Sequence, residues 1–183
     1  MSIVLQGSTS GSVTLQEPAV AGTTVLTLPA VSGTVLTDTS PKAGNVLQVV
    51  SATYSTNVNI STTSWTSTGI TASITPTSAS NKVFIAINNP MRRNNSSGVD
   101  YGMGVAIYRN NSTSIFTGMT NLGYTYTVGN MAFSLLVPLF YLDSPATTSS
   151  TAYTMYFNCA SNGTMSSCVD GNVATITLME IAA

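Results

Sequence analysis

Histidine is absent from this 183-residue sequence, and charge is scarce, with five basic and six acidic residues. Without an imidazole, neither a Ser-His-Asp nor a Cys-His nucleophilic arrangement can be built. Two cysteines with no histidine cannot complete a typical zinc site either. The acids Glu17, Asp38, Asp100, Asp143, Asp170 and Glu180 form no paired motif of the kind hydrolases use. Lys42 and Lys82 sit among Pro, Ser and Asn residues typical of turns, poor places for a Ser-Lys device. No catalytic residue, cofactor or metal is therefore expected. Lys42, Lys82, Arg92, Arg93 and Arg109 are too few to form the electrostatic footprint of a nucleic-acid-binding protein.

Long apolar runs are also missing. The longest, Met131 to Leu142, is interrupted by Ser134 and Pro138 and falls well short of the roughly 20 residues that span a bilayer. It reads as a buried strand, and no membrane insertion is expected. The opening "MSIVLQGSTS" has neither a positive n-region nor an apolar h-region, so a signal peptide is not expected. "YGMGVAIYR" spaces two glycines closely, but no helix is predicted after it to aim its N-terminus at a phosphate. Cys159 and Cys168 enclose "ASNGTMSS", a spacing open to a loop-closing disulfide or to two inert thiols.

What the chain does have is hydroxyls. Serine and threonine make up roughly 30% of it, where charged residues alone supply about 25% of an average domain. Glycines recur at 11, 22, 33 and 44, a spacing too short for any helical solenoid unit. Short Val/Leu/Thr runs follow them (Val13 to Leu15, Val25 to Leu28, Val35 to Thr37, Val46 to Val50), and Pro18, Pro29 and Pro41 follow the first three runs. Glycine supplies turn conformations, proline blocks helix, and β-branched residues favour strand. Residues 1–45 therefore read as a β-repeat and attachment segment. Its exposed strand edges would be satisfied by several chains wrapped together, or by lying as a meander on the main domain.

Residues 46–183 read as the main domain. In "AYTMYFNCA" the residues Tyr153, Met155, Phe157 and Cys159 share one face, and Thr154, Tyr156 and Asn158 the other. "KVFIAINN", "YGMGVAIYR" and "NVATITLMEIA" also read as strands, and no segment has a helical period. About eight strands over roughly 140 residues suit an all-β sandwich of jelly-roll type, with a closed barrel as the alternative. The expected core comprises Leu135, Val137, Leu139, Tyr153, Met155, Phe157, Ile176 and Leu178.

The stretches "NVLQVVSATYSTNVNISTTSWTSTGITASITPTSASNKVFI", "YLDSPATTSSTAYTMYF" and "ATITLMEIAA" resemble a C-terminal module of bacteriophage virion proteins. "GSVTLQEPAVAGTTVLTLPAVSGTVLT" is similar to the Pro/Gly-punctuated segment that often precedes such modules in phage fibres. The resemblance implies a homotrimer on the outer surface of the virion, assembled in the host cytoplasm, with a jelly-roll head like that of the C1q and tumour-necrosis-factor type. It transfers no functional residues.

Two stretches are candidates for partner contact. "PMRRNNSSGVDYG" reads as an Asn-rich loop carrying Arg92 and Arg93, either solvated with Asp100 as counter-charge or touching an acidic capsid or cell surface. "TGMTNLGYTYTVGN" offers Asn121, Tyr124 and Tyr126, group types common in sugar- and protein-binding loops, although alternating tyrosines also suit a strand at a subunit interface. Two functions follow. One is a trimeric capsid decoration or cement protein whose partner is the major capsid protein. The other is a tail-fibre or head-fibre adhesin for a host surface glycan or protein.

Overall fold

Apolar side chains at alternate positions bury one face of a strand and leave the other free, and this period sets the architecture. The structure is a computed structural model that describes residues 3–16, 19–20, 23, 42–95, 101–118, 120, 122–125, 131–159 and 163–183. The chain divides into two compact units, Met1–Val35 and Leu36–Ala183.

In the first unit, β1 (Ile3–Gln6) pairs antiparallel with β2 (Ser12–Leu15), Ile3 opposite Leu15 and Gln6 opposite Ser12. The Gly7 amide donates to the Gly11 carbonyl at 2.9 Å, and Gly11 takes a left-handed φ of 77° that closes the turn. Ile3, Val4, Leu5 and Val13 are each more than half exposed. The strand expected at Val13 to Leu15 is β2; those at Val25 to Leu28 and Val35 to Thr37 lie outside the described residues.

The second unit is an all-β, jelly-roll-like sandwich. Its strands are β3 (Val46–Tyr54), β4 (Val58–Ile60), β5 (Thr66–Ile74), β6 (Lys82–Asn95), β7 (Tyr101–Arg109), β8 (Thr113–Thr117), β9 (Leu122–Thr125), β10 (Met131–Asp143), β11 (Thr151–Cys159), β12 (Thr164–Ser167) and β13 (Ala174–Ile181). One sheet has the order β3-β13-β6-β12-β4 with β10 on the other side of β6; the second has the order β5-β11-β7-β8, with β9 also on β7. A 3-10 turn at Val169–Gly171 is the one helical element among the described residues. Among the described residues these are eleven strands against the expected eight, and β4, β8, β9 and β12, three to five residues long, are too short to carry a long alternating pattern.

Between the sheets lie Val83, Ile85 and Ile87 of β6, Val137 and Leu139 of β10 and Ile176 and Leu178 of β13, facing Ile70, Ile107, Tyr153, Met155 and Phe157. Every expected core residue is buried except Leu135, which is half-buried. Gly69 (φ 80°) lies where the register between β5 and β11 shifts, a bulge position that favours glycine.

The reading of Met131 to Leu142 as a buried strand is corrected. β10 is an edge strand pairing with β6 alone among the described residues, and Leu136, Pro138, Phe140 and Leu142 on its outer face are exposed. Pro138 is tolerated because edge strands need not donate on both sides. Pro90 sits inside β6 for a related reason: β13 pairs with β6 only as far as Asn88 and β12 only from Met91, so no partner stands opposite Pro90 on that side.

Glu180 fastens the C-terminal strand. Its fully buried carboxylate accepts hydrogen bonds from the Thr77 amide (2.6 Å), Thr77 Oγ1 (2.8 Å), Asn81 Nδ2 (2.6 Å) and Gln48 Nε2 (2.6 Å). Burial pushes the carboxyl up, but the hydrogen bonds from Asn81, Gln48 and Thr77 outweigh it and hold the group below its ordinary value. A depressed folded value adds stability above the unfolded pKa of about 4.3, and that stability is lost as pH falls through the folded value. Glu180→Gln, which places an amide donor against other donors, is expected to cost roughly 1–3 kcal/mol at pH 7 and to flatten the stability loss below about pH 4. Urea unfolding across pH measures both. Truncating the fully enclosed Phe157 to Ala is expected to cost about 3–5 kcal/mol in the same assay, and a cost near zero would mean that the strand faces are misassigned.

Candidate functional site

Arg92 and Arg93 were expected in a loop, and the structure places both on β6, opposite Ser134 and Phe133 of β10. Long-range pairing overrides the turn propensity of their Pro and Asn neighbours. Alternation then sends the two side chains to opposite faces. Arg92 makes a bidentate ion pair with Asp170 on the 3-10 turn, through Nη1 at 3.0 Å and through Nη2, while Nε donates to Ser134 Oγ at 3.0 Å. Its counter-charge is therefore Asp170; Asp100 lies outside the described residues. Arg93 is buried, opposite Met165 of β12.

Asn121 and Tyr126 lie outside the described residues. Tyr124 is on β9, which pairs with β7 through Met103 and Leu122; its side chain is also outside them.

Each described acid is paired within the chain, Asp143 and Glu180 buried and Asp170 at the surface. Asp143 at the end of β10 accepts from Tyr153 Oη (2.8 Å) and Arg109 Nη1 (3.1 Å), which fastens the β10 sheet to the β7–β11 sheet. Burial, and next the carboxylate of Asp143, push the Tyr153 phenol far above its ordinary value. Asp170 holds Arg92, and Glu180 holds Gln48, Thr77 and Asn81. No group of three or more Cys, Asp or Glu among the described residues is placed to hold a metal ion.

Both cysteines are free and buried, so of the two alternatives the structure has the thiols. Burial pushes the Cys159 thiol up, against the opposing effects of the Arg93 charge and a backbone hydrogen bond at Met165. The glycines of "YGMGVAIYR" are strand residues: a side chain at Gly104 would collide with the Asn158 amide and crowd the Trp65 ring. An apolar cavity of about 330 Å³ opens between the sheets beside β10, lined by Val105, Phe116, Leu122, Leu135, Val137 and Leu139 among others.

The two outer faces of the sandwich differ. On the β5–β11–β7 sheet the outer positions include Thr71, Ser73, Thr154 and Asn158, with Tyr108 stacked on Tyr156 at 4.1 Å. On the β6–β10 side they include Phe84, Ala86, Leu136, Pro138, Phe140 and Leu142, with Phe84 and Phe140 stacked at 6.3 Å. Sequence reading missed this second face. Its signal was the apolar residue at both parities of Leu135 to Leu142, taken for burial on both sides.

Comparison with solved structures finds particles of infectious bursal disease virus, all at TM-scores below 0.5. The structure of infectious bursal disease virus Gt strain matches with a TM-score of 0.39 and 13% identity over 97% of this chain and 46% of that one. T=1 particles derived from the same virus match at 0.33 and 14%, over 94% and 43%. Its VP2 subviral particle matches at 0.31 and 12%, over 74% and 38%. The chain spans less than half the length of these proteins. No protein-family model matches the sequence, and no curated protein matches it.

Native protein is expected to resist thiol labelling at pH 8, because both cysteines are buried and a thiol raised by burial is a poor nucleophile. Both should react on unfolding. Rapid labelling of the folded chain would contradict the placement of β11 and β12.

Proposed function

We propose that this chain is a structural protein of a virus particle: a homotrimer on the outer surface of the virion that decorates or cements the capsid. The observation that carries this reading is the N-terminal hairpin. Ile3, Leu5 and Val13 share one face of β1–β2 and Val4 lies on the other, and all four are largely exposed. A two-stranded hairpin is marginal in water, and one with bare aliphatic faces needs partner surface to persist. Copies of the same segment wrapped around one another, laid on the major capsid protein, supply that surface. The engagement of every described acid within the fold favours a structural role over chemistry. The resemblance of the sequence to phage virion modules supplies the setting.

The adhesin alternative rests on the fibre-like Gly/Pro repeat and on Asn121, Tyr124 and Tyr126, whose side chains lie outside the described residues.

Light scattering at micromolar concentration is expected to give about three times the chain mass of 18.9 kDa, with a Tm that falls on dilution. A clean monomer would sink the trimer. Quantitative mass spectrometry of purified particles is expected to count tens to hundreds of copies each, and a handful would favour a fibre adhesin instead.

A further inference from the structure

The β6–β10 outer face has the chemistry of a contact between chains. Phe140, Leu136 and Leu142 are 62%, 56% and 46% exposed. At roughly 200 Å² for a whole phenylalanine and somewhat less for leucine, these three leave on the order of 300 Å² of apolar surface open. One side of a standard interface covers about 800 Å². Three side chains thus supply over a third of one before Pro138, Phe84 and Val49 are added. The outer positions between Lys82 and Arg92 on β6, and those from Ser134 to Leu142 on β10, hold no charged residue. Interface centres are depleted of charge in the same way.

The face also has relief. Phe140 stands beside a depression of about 150 Å³ lined by Ala86, Asn88, Pro138, Thr175 and Thr177. Phe140 itself forms part of its wall. Knob and hole lie on the same face of the same chain, so a symmetry-related copy carries both halves of the fit. Buried aromatic anchors seated in such holes dominate association energies.

We infer that the outer face of β6 and β10 is the contact between copies of this chain, with Phe140 of one copy seated over the depression at Thr177 of the next. This rests on the homotrimer reading and names the surface that makes it. The absence of charge between Lys82 and Arg92 favours a second copy over an acidic or basic partner.

The test compares wild type with Leu136→Lys/Phe140→Lys by light scattering. Both positions are exposed in the single chain, so the fold should tolerate the change while the mass drops to about one third. A variant that keeps the wild-type trimer mass overturns this inference and leaves the trimer standing, whereas a monomeric wild type overturns both. Should the lysine variant not accumulate as soluble protein, Phe140→Cys with Thr177→Cys decides. Ala86 separates the two positions in the sheet, so their Cα atoms are two strand spacings apart, about 9–10 Å, too far for a bond within one chain. The native thiols are buried. Mild oxidation is expected to produce disulfide-linked dimers and larger species on a non-reducing gel, and their absence would overturn the contact.

Discussion

A β-sheet has two faces, and an antiparallel sandwich buries only one face of each sheet; the other must meet water or another protein. Most proteins resolve this with charge, and this chain has almost none to spend, with 6% of its residues charged. Its described acids are paired within the chain: Glu180 fastens the last strand, Asp143 joins the sheets through Tyr153 and Arg109, and Asp170 holds Arg92 at the surface. Hydroxyls and amides solvate one outer face, on β5, β11 and β7. Between Lys82 and Arg92 the outer face on β6 and β10 has neither charge nor many hydroxyls.

The same constraint bears on the N-terminal unit. A hairpin of two four-residue strands has no inner face, so Ile3, Leu5 and Val13 are exposed however the strands pair. The two units thus present the same unmet requirement by different routes, one through shortness and one through composition. The proposed contacts between chains would answer both.

How much of this was legible in the sequence follows from the range of the signals. The alternation of Tyr153, Met155 and Phe157 is local and names its own buried face. The Gly/Pro period gave strand-and-turn units, and β2 falls on one of them, but β1 needed the pairing of Gly7 with Gly11 across "GSTSG" to be seen. Arg92 and Arg93 were misplaced because Pro90 and the asparagines signal a turn, while β6 is held by neighbours far along the chain, β10 on one side and β13 then β12 on the other. Asp170, the partner of Arg92, lies 78 residues away. The apolar run of β10 was ambiguous in principle, since a strand covered by a second sheet and a strand covered by a second chain are written with the same residues.

Hydrogen exchange read as a function of concentration tests most directly whether these apolar surfaces are covered by copies of the chain. At micromolar concentration the amides of Ile3 to Leu15 should be protected well beyond an isolated hairpin, and dilution below the assembly range should release them while the β11 amides stay slow. Exchange of this hairpin within seconds at every concentration, with an unchanged sandwich, would contradict it.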